Sequence, residues 1–411
     1  MDFYDIFLVL SLLAGFLMAF NLGANDVANS MASAVGARAI SVRQAVLIAG
    51  ILNFVGATFL GAQVTATISK GIINPASIHD PKIMTLGMFA ALLSAGVWVL
   101  AATLTSLPVS STHSIVGSIL GFGFVAGGPE VVNWLKLGGI VMSWIISPFF
   151  AALIAFLIFH HIRWRIFAAK NFVEKAVRWA PRWLGLTTIL IGLSFMYKTP
   201  VGKKMALPAG ASLLLVAVLG LVVWLVGRWI ARRLVPDPEE GAEAVERIFR
   251  KLQIFTSCYV ALSQGANDVA NAIGPVAAIY LLAKNHSLAA QAPVPMSMLL
   301  LGGVGIAVGI ALLGKNVIST VGEKITTLTN TRGFAVDFAA ATTVLAASKM
   351  GLPVSTTHAA VGAVTGVGLA RGFQAVDFGV LGKIVVYWVL TVPIAAFTSI
   401  VIFQILKWSL L

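Results

Sequence analysis

The segment Gly23-Ala24-Asn25-Asp26-Val27-Ala28-Asn29 occurs near the start of the chain, and residues 265–271 repeat all seven of its letters. Both copies lie in long apolar stretches, where a carboxylate and two amides are hardest to accommodate. An ionisable side chain at membrane depth is costly, and such residues mark functional sites by default. The duplicated segment, called the GANDVAN motif below, therefore predicts a functional site.

The composition indicates the class of protein. Of 411 residues, 59% are hydrophobic and 10% are charged, whereas soluble domains have about 25% charged residues. The apolar runs are long and continuous, which favours helices over the short alternating strands of an outer-membrane barrel. We therefore predict an all-α polytopic membrane protein. The N-terminus lacks a basic region, so we interpret it as the first spanning helix and not as a cleaved signal.

Charge and cysteine content exclude several other classes. The net charge of +13 is explained by the positive-inside rule, because the basic residues lie between hydrophobic segments. The sequence lacks the basic and aromatic array that is typical of nucleic-acid binding, so no nucleic-acid partner is expected. The single cysteine, Cys258, excludes an internal disulfide framework and a multi-thiolate metal site.

The hydrophobic segments give the expected number of crossings. A spanning helix needs about 20 apolar residues, and we expect about twelve transmembrane segments. The two that begin with a proline and several hydroxyl residues are glycine-rich and are expected to be broken or re-entrant. The segments are 5–34, 42–69, 83–106, 108–127, 137–161, 184–198, 206–229, 250–283, 296–321, 335–350, 353–371 and 377–408.

Two charged connections set the expected orientation in the cell inner membrane. Loops 162–182 and 228–251 hold most of the basic residues, and the positive-inside rule places both in the cytoplasm. The loop that contains Lys198, Lys203 and Lys204 is then outside. Counting crossings from these loops places the N- and C-termini of this multi-pass protein outside.

The repeat extends well beyond the GANDVAN motif. Residues 107–113, Leu-Pro-Val-Ser-Ser-Thr-His, match residues 352–358, Leu-Pro-Val-Ser-Thr-Thr-His, and Trp144 matches Trp388. Seven crossings separate the two copies, so we expect two inverted-topology repeats with a site at their interface, which is typical of secondary transporters. The predicted parts are a first repeat, 1–161, a basic loop with two extra helices and an acidic linker, 162–247, and a second repeat, 248–411.

The GANDVAN motif has the chemistry of a cation site. Asp26 and Asp268 are the two acids with strongly apolar sequence on both sides; Asp337 is among those assigned near segment ends. Carboxylate and amide oxygens suit a small hard cation, and carbonyls of a broken helix would complete the shell. The alternatives are helix capping by the aspartates and hydrogen bonding between helices by the asparagines. The candidate cation ligands are Asp26, Asn29, Asp268, Asn271, Asn25 and Asn267.

The segments after each proline have the chemistry of an anion site. Hydroxyls and free N–H groups at a helix N-terminus attract anions, and two such termini that face each other can hold a tetrahedral oxyanion without any arginine. Plain helix capping is the alternative. The candidate anion ligands are Ser110, Ser111, Thr112, Ser355, Thr356 and Thr357, with Asn25 and Asn267. We expect His113 and His358 to bond backbone carbonyls, with proton transfer as the alternative.

Together these motifs resemble the PiT family of inorganic phosphate transporters over nearly the whole chain. The resemblance implies uptake of inorganic phosphate driven by a Na⁺ or H⁺ gradient, inverted repeats and a homodimer. We expect symport with Na⁺ through alternating access in the bilayer, with no cofactor beyond the transported ion. The family's motif residues carry over onto the Asn and Asp residues of both GANDVAN copies, and onto Ser110–Thr112 and Ser355–Thr357. We expect sodium at the former and phosphate at the latter. Animal members have a glutamate where this chain has Asn53, and a long soluble loop in place of its short linker.

Other functions fit less well. A proton-coupled phosphate symporter or a sulfate permease of the same fold would use the same residues, and both remain open. An enzyme is not expected, because the sequence offers no discernible pair of nucleophile and base. A receptor would need a signalling domain that the sequence lacks, and duplicated half-sites favour an enclosed site over a channel.

Overall fold

The computed structural model of the chain is nearly all helical, in agreement with the predicted class. It describes residues 2–74, 78, 80–105, 109–198, 205, 207–233, 241–285, 293–321 and 328–411. These residues form thirteen α-helices and a few short 3₁₀ or π segments, and their only β-type pairing is a bridge between Ile73 and Val132. Residues 107 and 108, the loop with Lys203 and Lys204, and linker residues Asp237, Glu239 and Glu240 lie outside the described parts.

The thirteen helices follow the predicted segments closely. The predicted segment 42–69 is two helices that meet at Gly61, where Val269 of another helix approaches. The helices are α1 (Phe3–Gly36), α2 (Val42–Leu60), α3 (Ala62–Lys70), α4 (Pro81–Leu104), α5 (Ser111–Gly127), α6 (Trp134–Ile162), α7 (Phe172–Lys198), α8 (Ala209–Arg233), α9 (Ala242–Asn285), α10 (Met296–Val321), α11 (Asn330–Lys349), α12 (Thr356–Arg371) and α13 (Phe378–Leu410).

Eight of the described helices are long and apolar enough to cross a bilayer, namely α1, α2, α4, α6, α8, α9, α10 and α13. Large apolar side chains on their outer faces are exposed, as for Phe149 on α6 and Phe397 on α13, which is expected where lipid surrounds the protein. The chain is therefore a multi-pass membrane protein.

Both GANDVAN copies lie within continuous helices, as the predicted segments 5–34 and 250–283 indicate, and the capping alternative is wrong. Asp26 lies inside the continuous helix α1, and Asp268 lies inside the continuous helix α9. The aspartates cap no helix, and the broken-helix carbonyls near them are those of Val109 and Val354, which precede α5 and α12. The breaks come at the Pro-Val-Ser segments, where α5 and α12 begin. With 17 and 16 residues, these helices are about 24–26 Å long, shorter than the ~30 Å hydrocarbon core.

The two charged connections are shorter than predicted. Most of loop 162–182 is helical, because α7 begins at Phe172, and a π segment covers Arg163–Phe167. Likewise α8 continues to Arg233 and α9 begins at Ala242. Arginine, lysine, glutamate and alanine are good helix formers, so the amphipathic ends of apolar helices extend into segments that a hydropathy count assigns to loops.

Close helix packing places the two GANDVAN copies in the interior. A Cβ at Gly23 would lie 2.0 Å from the Ile306 carbonyl oxygen of α10, and one at Gly265 would lie 2.2 Å from the Asn53 carbonyl oxygen of α2. The motif glycines therefore allow α1 to contact α10 and α9 to contact α2. The short helices pack across the two halves of the chain, α5 against α13 and α12 against α6.

Candidate functional site

The two predicted motifs of each half meet in one buried cluster. Asp26 of α1 is 1% exposed and Asp268 of α9 is 2% exposed. The N-terminal residues of α5 and α12 lie against them, and these residues are equally buried. We call residues 110–112 and 355–357 the Ser/Thr segments. The structure therefore brings together the four pieces of sequence that were predicted to form a site.

The first hydroxyl of each Ser/Thr segment is a helix cap. Ser110 precedes α5 and its Oγ accepts a hydrogen bond from the His113 backbone N–H at 3.2 Å. Ser355 precedes α12 and accepts from the His358 N–H in the same way, also at 3.2 Å. Capping, the alternative stated for these segments, thus accounts for the hydroxyls of Ser110 and Ser355.

The next hydroxyl of each segment contacts the aspartate of its own half. Ser111 Oγ donates a hydrogen bond to Asp26 Oδ2 at 2.8 Å. Thr356 Oγ1 donates to Asp268 Oδ2 at 3.4 Å. A carboxylate can only accept hydrogen bonds, so these hydroxyl protons are directed at the two carboxylates.

The same hydroxyls also accept hydrogen bonds from the opposite half. Asn271 Nδ2, in the second copy, donates to Ser111 at 3.4 Å and to Thr112 at 3.2 Å. Asn29 Nδ2, in the first copy, donates to Thr356 at 3.3 Å and to Thr357 at 3.0 Å. Each aspartate is thereby linked, through one hydroxyl, to an asparagine of the other copy. The two Ser/Thr segments are linked as well.

The starts of α5 and α12 are also hydrogen-bonded directly to each other. Thr112 Oγ1 donates to the Val354 carbonyl at 3.3 Å, and Thr357 Oγ1 donates to the Val109 carbonyl at 3.4 Å. The N-termini of α5 and α12 are therefore neighbours, as a shared anion site requires. The carbonyls of Val109 and Val354 are part of the same arrangement, and the sequence analysis did not identify them.

Asn25 and Asn267 differ from each other in their contacts. Asn267 Nδ2 donates to Asp268 Oδ1 at 2.9 Å and to the Val354 carbonyl at 2.8 Å, so it belongs to the cluster. Asn25 Nδ2 donates instead to Thr103 Oγ1 of α4, at 3.1 Å. The sequence gives the two residues equal roles, but only Asn267 contacts the Ser/Thr side of the site. Asn53 Nδ2 bonds the Ala49 carbonyl of its own helix.

Several buried oxygens of the cluster accept no hydrogen bond from any described residue. They are Asp26 Oδ1, Asn267 Oδ1, Asn271 Oδ1 and Gln264 Oε1. A buried hydrogen-bond acceptor without a partner is destabilising by about 1–3 kcal/mol. A bound cation coordinated by these oxygens would therefore be stabilising. Carboxylate and amide oxygens are the ligands of hard cations, and this donor set fits a coupling cation.

The charges of the cluster lead to the same conclusion. The site residues named above include two carboxylates and no lysine or arginine, and their contacts are to hydroxyl, amide and carbonyl groups. Burying carboxylates without a compensating positive charge is costly. A cation from solution can supply that charge, and in doing so it would remove the repulsion that an arriving anion would meet.

The predicted contact of the two histidines is confirmed. His113 Nδ1 bonds the Trp388 carbonyl at 3.1 Å, and His358 Nδ1 bonds the Trp144 carbonyl at 3.0 Å. A carbonyl can only accept, so Nδ1 has the proton in each case. The His113 ring packs on Trp144 and the His358 ring packs on Trp388. The centres of the two histidine rings are 4.5 Å apart. The histidines therefore join α5 to α13 and α12 to α6.

Two buried residues of this region were missed by the sequence analysis. Gln264 directly precedes the second copy and its Nε2 donates to the Asp26 carbonyl at 2.6 Å; it corresponds to Leu22 in the first half, so the repeat gave no signal. Asp337 was assigned near a segment end, but it is buried inside α11 and accepts hydrogen bonds from Ser33 of α1 and Ser257 of α9. Because α11 is only weakly apolar, the sequence did not show that Asp337 is buried inside it.

Comparison with known proteins supports one family throughout. The model of the phosphate transporter family matches residues 22–399. A Pyrococcus abyssi protein named as a phosphate permease is 52% identical over 404 residues, covering 98% of each chain. The chloroplastic inorganic phosphate transporter 2-1 of Arabidopsis thaliana is 39% identical over 420 residues, covering 95% of this chain and 70% of its own.

A solved structure has the same fold. It is described as a sodium-dependent phosphate transporter, is 47% identical in sequence, and superposes with a TM-score of 0.93 over 98% of this chain and 100% of its own. The sequence resemblance and the fold therefore agree along the whole chain.

Proposed function

Because the chain belongs to the phosphate transporter family, and is a transporter rather than an enzyme, we propose that it takes up inorganic phosphate by symport with Na⁺. The observation that carries this proposal is the reciprocal linkage of the site, in which each aspartate is joined through a hydroxyl to an asparagine of the other copy. A site assembled in this way binds its ions only when both halves are engaged.

Sodium is proposed to bind the GANDVAN side of the cluster. The proposed ligands are Asp26, Asp268, Asn29, Asn271 and Asn267, with Gln264 added from its unpartnered oxygen. Asn25 is the weakest member of the predicted set, because its amide contacts Thr103. The solved sodium-dependent phosphate transporter supports sodium as the cation.

Phosphate is proposed to bind between the N-termini of α5 and α12. Ser111, Thr112, Thr356 and Thr357 have hydroxyls there, and each helix start adds free N–H groups and the positive end of its dipole. These hydroxyls now donate to carboxylates and carbonyls, and the same protons can be donated to phosphate oxygens. Ser110 and Ser355 hold the helix starts in shape as caps.

Electrostatics couples the two ions. At a separation of about 5 Å and an effective dielectric constant of about 20, two like charges repel by about 3 kcal/mol, or roughly 10²-fold in affinity. Phosphate beside two ionised aspartates meets this repulsion, and bound cations remove it. The coupling is reciprocal, so phosphate must strengthen cation binding by the same factor.

Alternating access is proposed to arise from the two halves of the chain. The reciprocal contacts support two inverted repeats that exchange conformations around one central site. The proposed topology has about twelve segments, of which α5 and α12 are the short ones that begin at the site. The termini are then outside, and the basic connections are in the cytoplasm.

The decisive experiment is uptake of labelled phosphate into proteoliposomes under separately imposed gradients. We expect an inward Na⁺ gradient at equal pH to drive accumulation, and replacement of Na⁺ by choline to abolish it. Uptake driven by a pH gradient in choline would contradict sodium coupling and assign the aspartates to protons. Excess unlabelled sulfate should leave phosphate uptake unchanged; strong competition would instead identify a sulfate permease.

A further inference from the structure

The helix pair α7 and α8 contributes no side chain to the central site, yet it forms a strongly basic cavity at one end. The cavity has a volume of about 730 Å³ and lies between the start of α7 and the end of α8. Its charged lining residues are Lys170, Glu174, Arg178, Arg228 and Arg232. Four positive side chains thus share one space with a single acid.

A smaller basic cavity adjoins it. This cavity has a volume of about 370 Å³ and shares Arg178 with the larger one. Its other lining residues include Arg165, Lys175, Arg182, Trp164 and Trp179. The single acid of the larger cavity, Glu174, accepts a hydrogen bond from Asn171 at 2.6 Å. The cations therefore repel one another, and an anion with several oxygen atoms would relieve that repulsion.

Tryptophans place this region at the level of the lipid head groups. Trp164 is 62% exposed and Trp229 is 55% exposed, and exposed tryptophan is typical of membrane–water interfaces. The Arg165 guanidinium lies 4.3 Å from the ring centre of Trp164, and that of Arg233 lies 3.8 Å from Trp229. Such pairs hold cations beside an apolar surface.

An apolar cavity lies one turn further along α7. It has a volume of about 380 Å³ and is formed by α7, α8 and α9. Most of its lining is apolar, namely Pro181, Leu184, Ile230, Ala231, Ile248 and Leu252, and Arg247 and Lys251 of α9 also line it. Along α7 the basic cavities come first and the apolar cavity follows, whereas on α8 the two lie at the same level, on neighbouring faces. A basic space beside an apolar one matches the head group and acyl chain of a phospholipid, and basic pockets between helices on the cytoplasmic side are known to bind anionic head groups.

We propose that the basic cavities bind the phosphate-bearing head group of an anionic phospholipid, with an acyl chain in the apolar cavity. A soluble phosphate compound shares the head-group chemistry but has no apolar part to fill the apolar cavity. The phospholipid is therefore favoured. The site is separate from the central cluster, so the proposal stands independently of the transported ions.

Native mass spectrometry of the full chain tests the proposal. After delipidation, we expect phosphatidylglycerol to be retained at least ~10-fold more than phosphatidylcholine with the same acyl chains. The double variant Arg178→Gln/Arg228→Gln should remove this preference. The control double variant Lys383→Gln/Lys407→Gln, which removes the same charge from α13, should keep it. Equal retention of the two lipids by the wild-type chain, or equal loss in both variants, would overturn the proposal.

Two further arms identify the source of the phosphate group and keep the test independent of folding. Inorganic pyrophosphate, at the lipid concentration, should displace little phosphatidylglycerol; full displacement would show a soluble anion as the ligand. Ala231→Leu narrows the apolar cavity and should weaken retention of long-chain phosphatidylglycerol more than that of a short-chain form. An equal effect on both chain lengths would contradict the acyl-chain assignment. Thermal unfolding in detergent verifies that each variant is folded.

Discussion

At the scale of single residues, Asp26 and Asp268 are buried carboxylates whose described hydrogen-bond donors are all neutral. Each is one member of a relay of asparagine, hydroxyl and carboxylate. In the proposed mechanism a bound cation balances their charge, so these two side chains couple ion and substrate.

Replacing either aspartate by asparagine should therefore abolish coupled uptake. Asp26→Asn and Asp268→Asn keep the size of the side chain but remove the charge that attracts the cation, and we expect at least ~100-fold slower Na⁺-driven phosphate uptake, about 3 kcal/mol. Asp377→Asn is the matched control, because Asp377 is an exposed N-cap of α13 and asparagine caps equally well. Normal uptake by both site variants, at equal amounts in the membrane, would refute this role.

Adjacent serines separate capping from binding. Ser110 accepts a hydrogen bond from a helix N–H, whereas Ser111 donates to Asp26. We expect Ser110→Ala to lower the free energy of unfolding by about 1 kcal/mol with an unchanged KM for phosphate. Ser111→Ala should raise that KM about tenfold, equivalent to about 1.4 kcal/mol. Uptake kinetics and thermal unfolding measure the two effects, and an equal rise in KM for both variants would place Ser110 in the anion site.

At the scale of elements, the site depends on how closely long helices approach each other. The glycines of the motif lie where α1 contacts α10 and α9 contacts α2. Without them the helices would separate and the asparagines would no longer reach the opposite Ser/Thr segment. The motif thus combines the candidate ligands with the glycines that let the helices approach closely.

A methyl group at one of these glycines should be poorly tolerated. The Cβ of Gly265→Ala would lie 2.2 Å from the Asn53 carbonyl oxygen, a backbone atom that cannot turn aside as a side chain can. We expect a loss of at least ~2 kcal/mol of unfolding free energy, of the size of overpacking effects, and a lower melting temperature in detergent. Gly138→Ala on α6, with no neighbour within 4 Å of its Cβ, should be neutral or stabilising because alanine favours helix. The same melting temperature for both variants would contradict this packing role.

At the scale of the whole molecule, the reciprocal contacts favour two halves of opposite orientation. Each short helix packs on a long helix of the other half, α5 on α13 and α12 on α6. Asp337 adds a link of another kind, because it joins α1, α9 and α11 through two serines. The homodimer that the family resemblance implies stays a prediction, and light scattering in detergent can measure it.

Inverted halves have a direct test in labelling. Glu130 and Gln374 are exposed residues in equivalent turns, after α5 and after α12. In a Cys258→Ser background, Glu130→Cys should react with a membrane-impermeant maleimide from outside, and Gln374→Cys only after the membrane is opened. The reverse pattern would invert the proposed topology, and labelling of both from one side would contradict inverted repeats.

The sequence by itself determined the class of protein, the helices and the residue types of the site. Apolar runs of about 20 residues demand membrane helices because no water is present to satisfy the backbone, and an exact repeat of Asp and Asn in such runs predicts a site. It left helix capping open as the alternative for Asp26 and Asp268, since a polar motif inside a continuous helix has the same letters as one beside a break.

Only the tertiary structure decided which of these residues meet. Asn29 reaches Thr356 and Thr357, more than 300 positions away in the chain, while Asn25 turns to α4. Gln264 has a leucine at the corresponding position of the first half, and Asp337 lies in a helix of low apolarity, so neither pattern nor repeat revealed them. Packing between distant helices sets these partners, because hydropathy and repeats record the depth of a residue and not which neighbour it contacts.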